Sequence, residues 1–430
     1  MRGAGNQLSE SRGRREHWDI VPLGSLAEFR NGVNFTKESF GKGIKVINVK
    51  DFHDRFRPDF GDLGEINPEG VIRDADLLHE GDIIFVRSNG NRELIGRSLF
   101  ITKAADPVTH SAFTIRARLL GTDVFPLFYA YLLRSQIVRQ ALSAYGGGTN
   151  INNLNQTILA SLPVPKPPLE VQQRIASTLS AFDELIDNNT RRIKILEEMA
   201  QALYREWFVY FRFPGHEKVR LVDSPVANVP KGWEIRNIGE VVETLGGGTP
   251  STRNPEYWNS SDVIWFTPSD LTAAGTMFIQ TSGKKISNLG LEKSSARLFP
   301  PYSVMMTSRA TIGVVAINTK EACTNQGFIT CIPNENVSAY QIYFWMLENK
   351  EKIIGIASGA TYKEINRTEF RELPIVVADK NTNGSFTANL SPICKQIEVL
   401  QMKTDNLRRT RDLLLPKLVS GEIDVEAASE

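Results

Sequence analysis

The sequence predicts an α+β fold made of two mixed strand-and-helix domains, held apart by a long antiparallel two-helix coiled-coil spacer and related by a pseudo-twofold. Three observations predict it. The chain repeats itself at an interval of about 215 residues near its start and about 211 further on. Short apolar runs of strand length alternate with helix-spaced segments inside each repeat. Each repeat ends in a charged segment with four-three apolar spacing, the seam of a coiled coil. A period this long is too great for a solenoid, and means two copies of a domain plus a helix.

The repeat is visible in matched runs. WDIVPLGSLAEFRNG from Trp18 matches WEIRNIGEVVETLGGG from Trp233, with Gly24 on Gly239. ELIGRSLFI (Glu93 to Ile101) matches ATIGVVAIN (Ala310 to Asn318). GTNINNLNQTILASLPVP matches ATYKEINRTEFRELPIVV, with Asn155 on Asn366, Thr157 on Thr368 and Pro163 on Pro374.

In order along the chain, residues 1–17 are polar and Arg-rich (Arg12, Arg14, Arg15), without the apolar core of a secretory signal, and are expected to be a disordered tail. Residues 18–165 form the first domain. There Lys45–Val49 and Asp82–Val86 read as strands, and Pro126–Tyr145 reads as a helix that breaks at Gly146, Gly147 and Gly148. Residues 166–212 form the central helix. Its seam is Val171, Ile175, Leu179, Phe182, Ile186, Asn189, Ile193, Leu196, Ala200, Leu203 and Trp207. A linker, 213–232, leads to the second domain, 233–378, where Ser303–Ser308 reads as a strand and Ser338–Ala357 as a helix that breaks near Gly359. DKNTNGSFTANL, residues 379–390, reads as a polar loop. The C-terminal helix, 391–420, carries the seam Ile393, Ile397, Leu400, Thr404, Leu407, Arg411, Leu414 and Leu418, and 421–430 is a tail. Two such seams bury each other most simply by pairing antiparallel. That would set the globular domains at opposite ends and return the C-terminus toward the first.

At 430 residues, 41% hydrophobic and 23% charged, the chain has room for two or three ordinary soluble cores. No apolar run reaches membrane-span length, so no membrane is expected. Cys323, Cys331 and Cys394 lack metal or disulfide spacing and suggest a reducing, cytoplasmic setting. The net charge of +1 argues neither for nor against nucleic acid. A protein gripping DNA alone by neutralising phosphates would be more basic, so partners would supply much of that contact.

Catalytic motifs are missing. The GGGTPST run at Gly246 lacks the Lys-Ser/Thr of a phosphate-binding loop and reads as a tight turn. Glu348-Asn349-Lys350 has a nuclease-like Glu-x-Lys spacing, but lies on an expected helix with no placed Asp. The five histidines are scattered. The reading is therefore of a chain with no catalytic residues, no metal site and no cofactor of its own.

What remains is donor-rich loops at matching places in the two copies. Guanidinium forks suit guanine edges, carboxamides suit adenine, and hydroxyls suit either. The first domain offers Arg30, Asn31, Asn34 and Lys37; then Arg87, Ser88, Asn89, Asn91 and Arg92; then Thr149, Asn150 and Asn152. The second offers Thr249, Ser251, Thr252 and Arg253; Thr307, Ser308, Arg309 and Thr311; and Thr361, Tyr362 and Lys363. Thr267, Ser269, Asn325 and Gln326 add to the second set. Any one of these loops is also an ordinary turn, since Gly and Asn form turns without a ligand. Their recurrence with different side chains fits two readers of two sequences.

Several runs resemble the specificity subunit of type I restriction–modification systems. VPKGWE (Val229 to Glu234) resembles the opening of its second target-recognition domain. PPLEVQQRIASTLSAFDELIDNN (Pro167 to Asn189) and LEEMAQALYREWFVYFRFPGHE (Leu196 to Glu217) resemble the start and end of its central helix, and LLLPKLVSGEID (Leu413 to Asp424) its C-terminal conserved region. The resemblance covers most of the chain from Trp18, and Thr404 and Arg411 depart from it as polar residues in the second seam. It implies a non-catalytic subunit whose two domains each bind one half of a split site in double-stranded DNA. Two methyltransferase subunits using S-adenosylmethionine would flank the helices and methylate an adenine in each half. Motor–nuclease subunits using ATP and Mg would translocate and cleave unmodified DNA. Leu196, Leu203, Trp207, Leu414 and Leu418 are the expected partner-binding residues on the helices. The rival reading is a repeat-built coiled-coil scaffold whose domains bind protein or glycan.

Overall fold

The computed structural model describes residues 18–52, 55–70, 72–88, 94–145, 153–223, 228–359 and 363–423. The expected N-terminal tail, Asn89 to Glu93, the triple glycine and residues 424–430 lie outside them. The chain forms two compact units: Met1–Ile186 with Asn406–Glu430, and Asp187–Asp405. The boundaries fall inside the two long helices, so each unit takes in part of each helix.

The repeat read from sequence is a repeat of topology. In the first unit Asp19–Pro22 pairs antiparallel with Pro163–Lys166; in the second Glu234–Asn237 pairs with Pro374–Val377. The first unit's main sheet runs Ala27–Asn31, Thr114–Leu119, Ile83–Val86, Ser98–Phe100. The second's runs Glu243–Gly246, Phe328–Ile332, Val304–Thr307, Val315–Asn318, with a further edge strand, Phe278–Ile279, parallel to the last. Each unit also has a three-stranded sheet built on a parallel pair: Phe40–Ile47 beside Val108–His110, and Val263–Phe266 beside Ala322–Thr324. The main-sheet strands Ile83–Val86 and Val304–Thr307 are buried throughout, which is why both read as continuous apolar runs.

The repeated glycines and asparagines have structural reasons. A Cβ on Gly24 would lie 2.9 Å from the Ala160 Cβ, and one on Gly239 would lie 2.5 Å from the Arg371 Cβ. Both glycines thus let the chain press against the short helices Gln156–Ser161 and Arg367–Arg371. Asn155 and Asn366 cap those helices, accepting from the Ile158 and Thr368 amides at 2.8 and 2.9 Å.

Both segments expected to be single helices are broken. Ser135, in extended conformation, separates Pro126–Arg134 from Gln136–Tyr145. Asn349 separates Ala339–Glu348 from Lys350–Gly355. Apolar spacing continues across both breaks and hid them.

The central helix, Leu169–Phe208, spans 40 residues, about 60 Å at 1.5 Å per residue. The C-terminal helix is equally long, Lys380–Val419, which corrects the expected loop at 379–390. Its first turn is held by Asp379, whose carboxylate accepts from the Thr382 hydroxyl at 2.6 Å and from the Asn381 and Thr382 amides at 3.1 Å. Phe386 and Leu390 then bury completely in the second unit's core. Capping and burial override the poor helix propensity of Asn, Thr and Gly in this stretch. The linker expected at 213–232 is likewise partly core. Phe213 and Val229 are buried, and Leu221–Val222 pairs with Val229–Pro230.

Within each unit the helix halves run antiparallel. In the first, Arg411 meets Asp183, while Leu414 and Leu418 join the core containing Val171 and Ile175. In the second, Phe386 packs on Trp207 and Phe208, while Ile397 shares a core with Ile193 and Leu196.

Candidate nucleic-acid interface

In the second unit the parallel pair Val263–Phe266 and Ala322–Thr324 delivers two loops to the same edge, beside the loop that follows Val304–Thr307. Main-chain bonds lock the three together: the Asn325 amide donates to Phe266 O at 3.0 Å, and the Ser308 amide to Gly327 O at 2.8 Å. The result is an open groove of about 700 Å³. Six residues expected from sequence converge on it: Thr267, Ser269, Arg309, Thr311, Asn325 and Gln326.

Their chemistry is graded. The Arg309 guanidinium is pinned by Glu364 at 2.6 Å yet remains half exposed. The following residue, Ala310, lies in left-handed backbone (φ 59°), a cost borne without glycine's freedom. The Asn325 carboxamide oxygen accepts from the Gly327 amide at 2.9 Å, which orients the side chain. Thr249 donates to the Gln326 carboxamide oxygen, joining the exposed run Thr249, Ser251, Thr252 and Arg253 to the groove. Thr267 caps the helix Pro268–Ala274, and its hydroxyl is spent on Asp270 at 2.6 Å, with Ser269 at 2.9 Å. Of the third loop, Lys363 is exposed, while Thr361 and Tyr362 lie outside the described residues.

Two expectations here are corrected. Thr307 is fully buried; its hydroxyl donates to the Thr311 carbonyl and accepts from the Val314 amide, closing the loop from inside. Ser308 is also buried, its main chain bridging Gly327 and Ile365. Both hold the loop in shape and neither reaches its surface.

The first unit repeats the arrangement with other side chains. The Arg87 amide donates to Phe113 O at 2.8 Å, as Ser308 does to Gly327, and the Leu154 amide donates to Arg87 O at 2.9 Å, as Ile365 does to Ser308. Asn48 caps a helical turn through Asp51, as Thr267 does through Asp270. These bonds put Arg87 on Ser308, Phe113 on Gly327 and Asn48 on Thr267. Arg87 and Ser88 are half-buried at the loop's root. Asn31 and Asn34 are exposed; Lys37 begins a short 3-10 turn. Asn89, Asn91, Arg92, Thr149, Asn150 and Asn152 lie outside the described residues. Arg30 is ion-paired with the nearly buried Asp76 at 2.6 Å, beside Arg116 and His110, and remains partly exposed. Burial, then the Arg116 charge, pushes the His110 imidazole down to about 3, so it is neutral.

The expected partner-binding residues are also largely spoken for. Trp207 and Leu418 are buried in the second and first cores, and Leu196, Leu203 and Leu414 pack against those cores. A large apolar residue near a helix end suits a core as well as an interface, and here the core took them. The exposed apolar residues on the helices are instead Leu185, Ile195, Met199, Val399, Met402 and Leu413. Glu348, of the Glu-x-Lys run, pairs with Arg205 at 2.7 Å. Cys323, Cys331 and Cys394 are free and buried; burial pushes the Cys323 thiol up to about 12 and raises the other two further, which leaves them unreactive.

The family model of the type I restriction modification DNA specificity domain matches twice, over residues 15–198 and 230–409. The chain belongs to this family. A type I restriction enzyme MjaIX specificity subunit from Methanocaldococcus jannaschii is 25% identical over 421 residues, 95% of this chain and 94% of that protein. A HindI specificity subunit from Haemophilus influenzae is 24% identical, over 80% of this chain and 87% of that one. The crystal structure of a type I restriction-modification S subunit from M. genitalium superposes with a TM-score of 0.57 at 15% identity, covering 95% of this chain and 97% of that one, which shows the shared fold. No described helix is long and apolar enough to cross a membrane.

Proposed function

We propose that this specificity subunit reads a bipartite site in double-stranded DNA, one half by each unit, and is not itself an enzyme. The observation that carries the reading is the groove of the second unit. There three loops bring a guanidinium, two carboxamides and hydroxyls together at the ends of a buried sheet, and the first unit rebuilds the same backbone with different side chains. Family membership favours this over the scaffold reading.

The near-neutral charge fits a subunit that shares phosphate contacts with partners. Two methyltransferase subunits would bring S-adenosylmethionine and methylate an adenine flipped from each half-site. Motor–nuclease subunits would bring ATP and Mg for translocation and cleavage. The exposed Ile195 and Met199 on the central helix are a better methyltransferase contact than the buried Trp207. A cytoplasmic setting suits such a complex.

The test is methylation mapping. A genome carrying this chain and its cognate methyltransferase subunit should show methyladenine in a split motif. Introducing Arg309→Ala should relax one half of that motif and leave the other as it was. An unsplit motif, or one relaxed equally in both halves by a folded variant, would overturn the assignment.

A further inference from the structure

Base reading is ordinarily sought among hydrogen-bonding side chains, and at one matched position the two units differ in kind. Gly327, on the wall of the second unit's groove, corresponds to Phe113 in the first. A Cβ built on Gly327 would meet the Pro268 ring and the Asn325 carboxamide at 3.1 Å, so a side chain leaving this position starts out toward the groove. Phe113 has such a side chain and is 60% exposed.

A single exposed phenylalanine is normally unremarked. This one is fixed from several sides. The Thr114 amide and hydroxyl bond Ser111 O at 2.9 and 2.6 Å, and the Ala112 amide bonds Val33 O at 2.8 Å. The Thr114 hydroxyl also meets the buried His110 ring at 2.9 Å, and Phe113 O holds the Arg87 and Ser88 amides at the root of a candidate reading loop. The ring is therefore presented on a rigid turn, and contact through it costs little further backbone ordering.

We infer that Phe113 is a specificity-determining residue of the first unit, and that it recognises the 5-methyl group of a thymine by apolar contact. A phenyl ring offers a base edge no donor or acceptor; what it distinguishes is the thymine methyl. The second unit, with glycine at the matching place, has no such contact and reads through its polar groove.

The inference rests on the proposed DNA-reading role, and the experiment separates the two. The full chain is assembled with its methyltransferase subunits, and binding to duplexes carrying the mapped site is measured. Each thymine is replaced singly by deoxyuridine, which removes only the methyl. At a thymine in one half-site the replacement should weaken the native complex about fourfold, the loss of roughly one buried methyl. In Phe113→Ala the same replacement should have no effect, and its binding to the unmodified duplex should match native binding to the deoxyuridine duplex. Phe113→Leu, which keeps an apolar side chain on the turn, should retain part of the methyl dependence and so guards against a folding defect in the alanine variant. Equal deoxyuridine sensitivity in native and Phe113→Ala complexes overturns the inference, as does a mapped site whose coupled half lacks thymine on both strands. A native complex that is itself indifferent to every methyl, yet loses affinity on Phe113→Ala, also overturns it, since that is the mark of a stacking wedge. If the native complex fails to prefer the mapped site over other DNA, the reading role itself has failed.

Discussion

The two units close their helix pairs by different means. The second fills the space with rings: Phe386 lies 4.8 Å from Phe208 and 5.5 Å from Trp207, centroid to centroid, with Tyr204 beside them. The first puts a charge pair further along its helix pair, at the level that the second fills with the buried Cys394 and Ala200. Arg411 and Asp183 meet at 2.5 Å, and the other Asp183 oxygen accepts from the Tyr131 hydroxyl at 2.6 Å. An aromatic cluster binds strongly and tolerates small shifts, whereas a charge pair with a third partner fixes one register. The polar residues that break the C-terminal seam are thus explained: Arg411 has a buried acid to meet, and Thr404 returns its hydroxyl to Leu400 O at 2.8 Å.

Breaking that contrast should give the largest effect. Arg411→Ala leaves Asp183 with a largely buried, uncompensated charge and should cost about 3–5 kcal/mol of first-unit stability. Replacing both members, Asp183→Leu with Arg411→Leu, should recover most of the loss. Calorimetry with hydrogen exchange resolved by unit would check both; equal destabilisation by the single and double variants would show that packing, and not the charge pair, matters there.

A second contrast is His110 against Thr324, matched by their places on the parallel strand pairs. The folded imidazole is held down at about 3, while an unfolded one takes a proton near 6.5. This contribution to stability is therefore complete above about pH 6.5 and lost progressively as pH falls toward 3, reaching about 2 kcal/mol by pH 5. The second unit has no such residue at that position. His110→Thr should flatten the slope of first-unit stability between pH 6.5 and 5; an unchanged slope would move the proton uptake elsewhere.

These contrasts also mark what could be read from sequence. The repeat, the seams and the mixed domains were legible because periodicity and matched residues are local signals. The start of the C-terminal helix was not, since Asn and Gly there say loop and only the burial of Phe386 says helix. The groove was half legible. Donor-rich turns picked out Arg309, Asn325 and Gln326 but also Thr307 and Ser308, whose polar groups serve the protein itself. Glu364, which positions Arg309, and Asn48, which matches Thr267, carried no distinguishing signal. Phe113 was missed because hydrogen-bonding capacity was the criterion.

The readers should be separable. Arg309→Ala should cost about 1–3 kcal/mol of discrimination at one base position of the second unit's half-site, if the pinned guanidinium pairs with a guanine edge. Glu364→Gln should cost less, because the guanidinium remains and only its restraint is gone. Binding to duplexes varied one base at a time checks both; a larger effect of Glu364→Gln than of Arg309→Ala would mean that the pair closes the loop and does not read.

The smallest expected effect tests where the units are alike. Asn155 and Asn366 cap matched short helices, though one bonds the third helical amide and the other the second. Each helix packs on a matched glycine and leads into the strand that closes its domain. Loss of an Asn cap costs about 1 kcal/mol, so Asn155→Ala and Asn366→Ala should each lower the local stability of their own helix by that amount. The effect should be equal in the two units, in contrast to the substitutions above, because the capped helix, the glycine it packs on and the strand it leads into are repeated. Amide exchange across 156–161 and 367–371 measures it directly. Unequal losses would mean that the reading loops just before each cap, which differ in sequence, already contribute to the stability of the helices they precede.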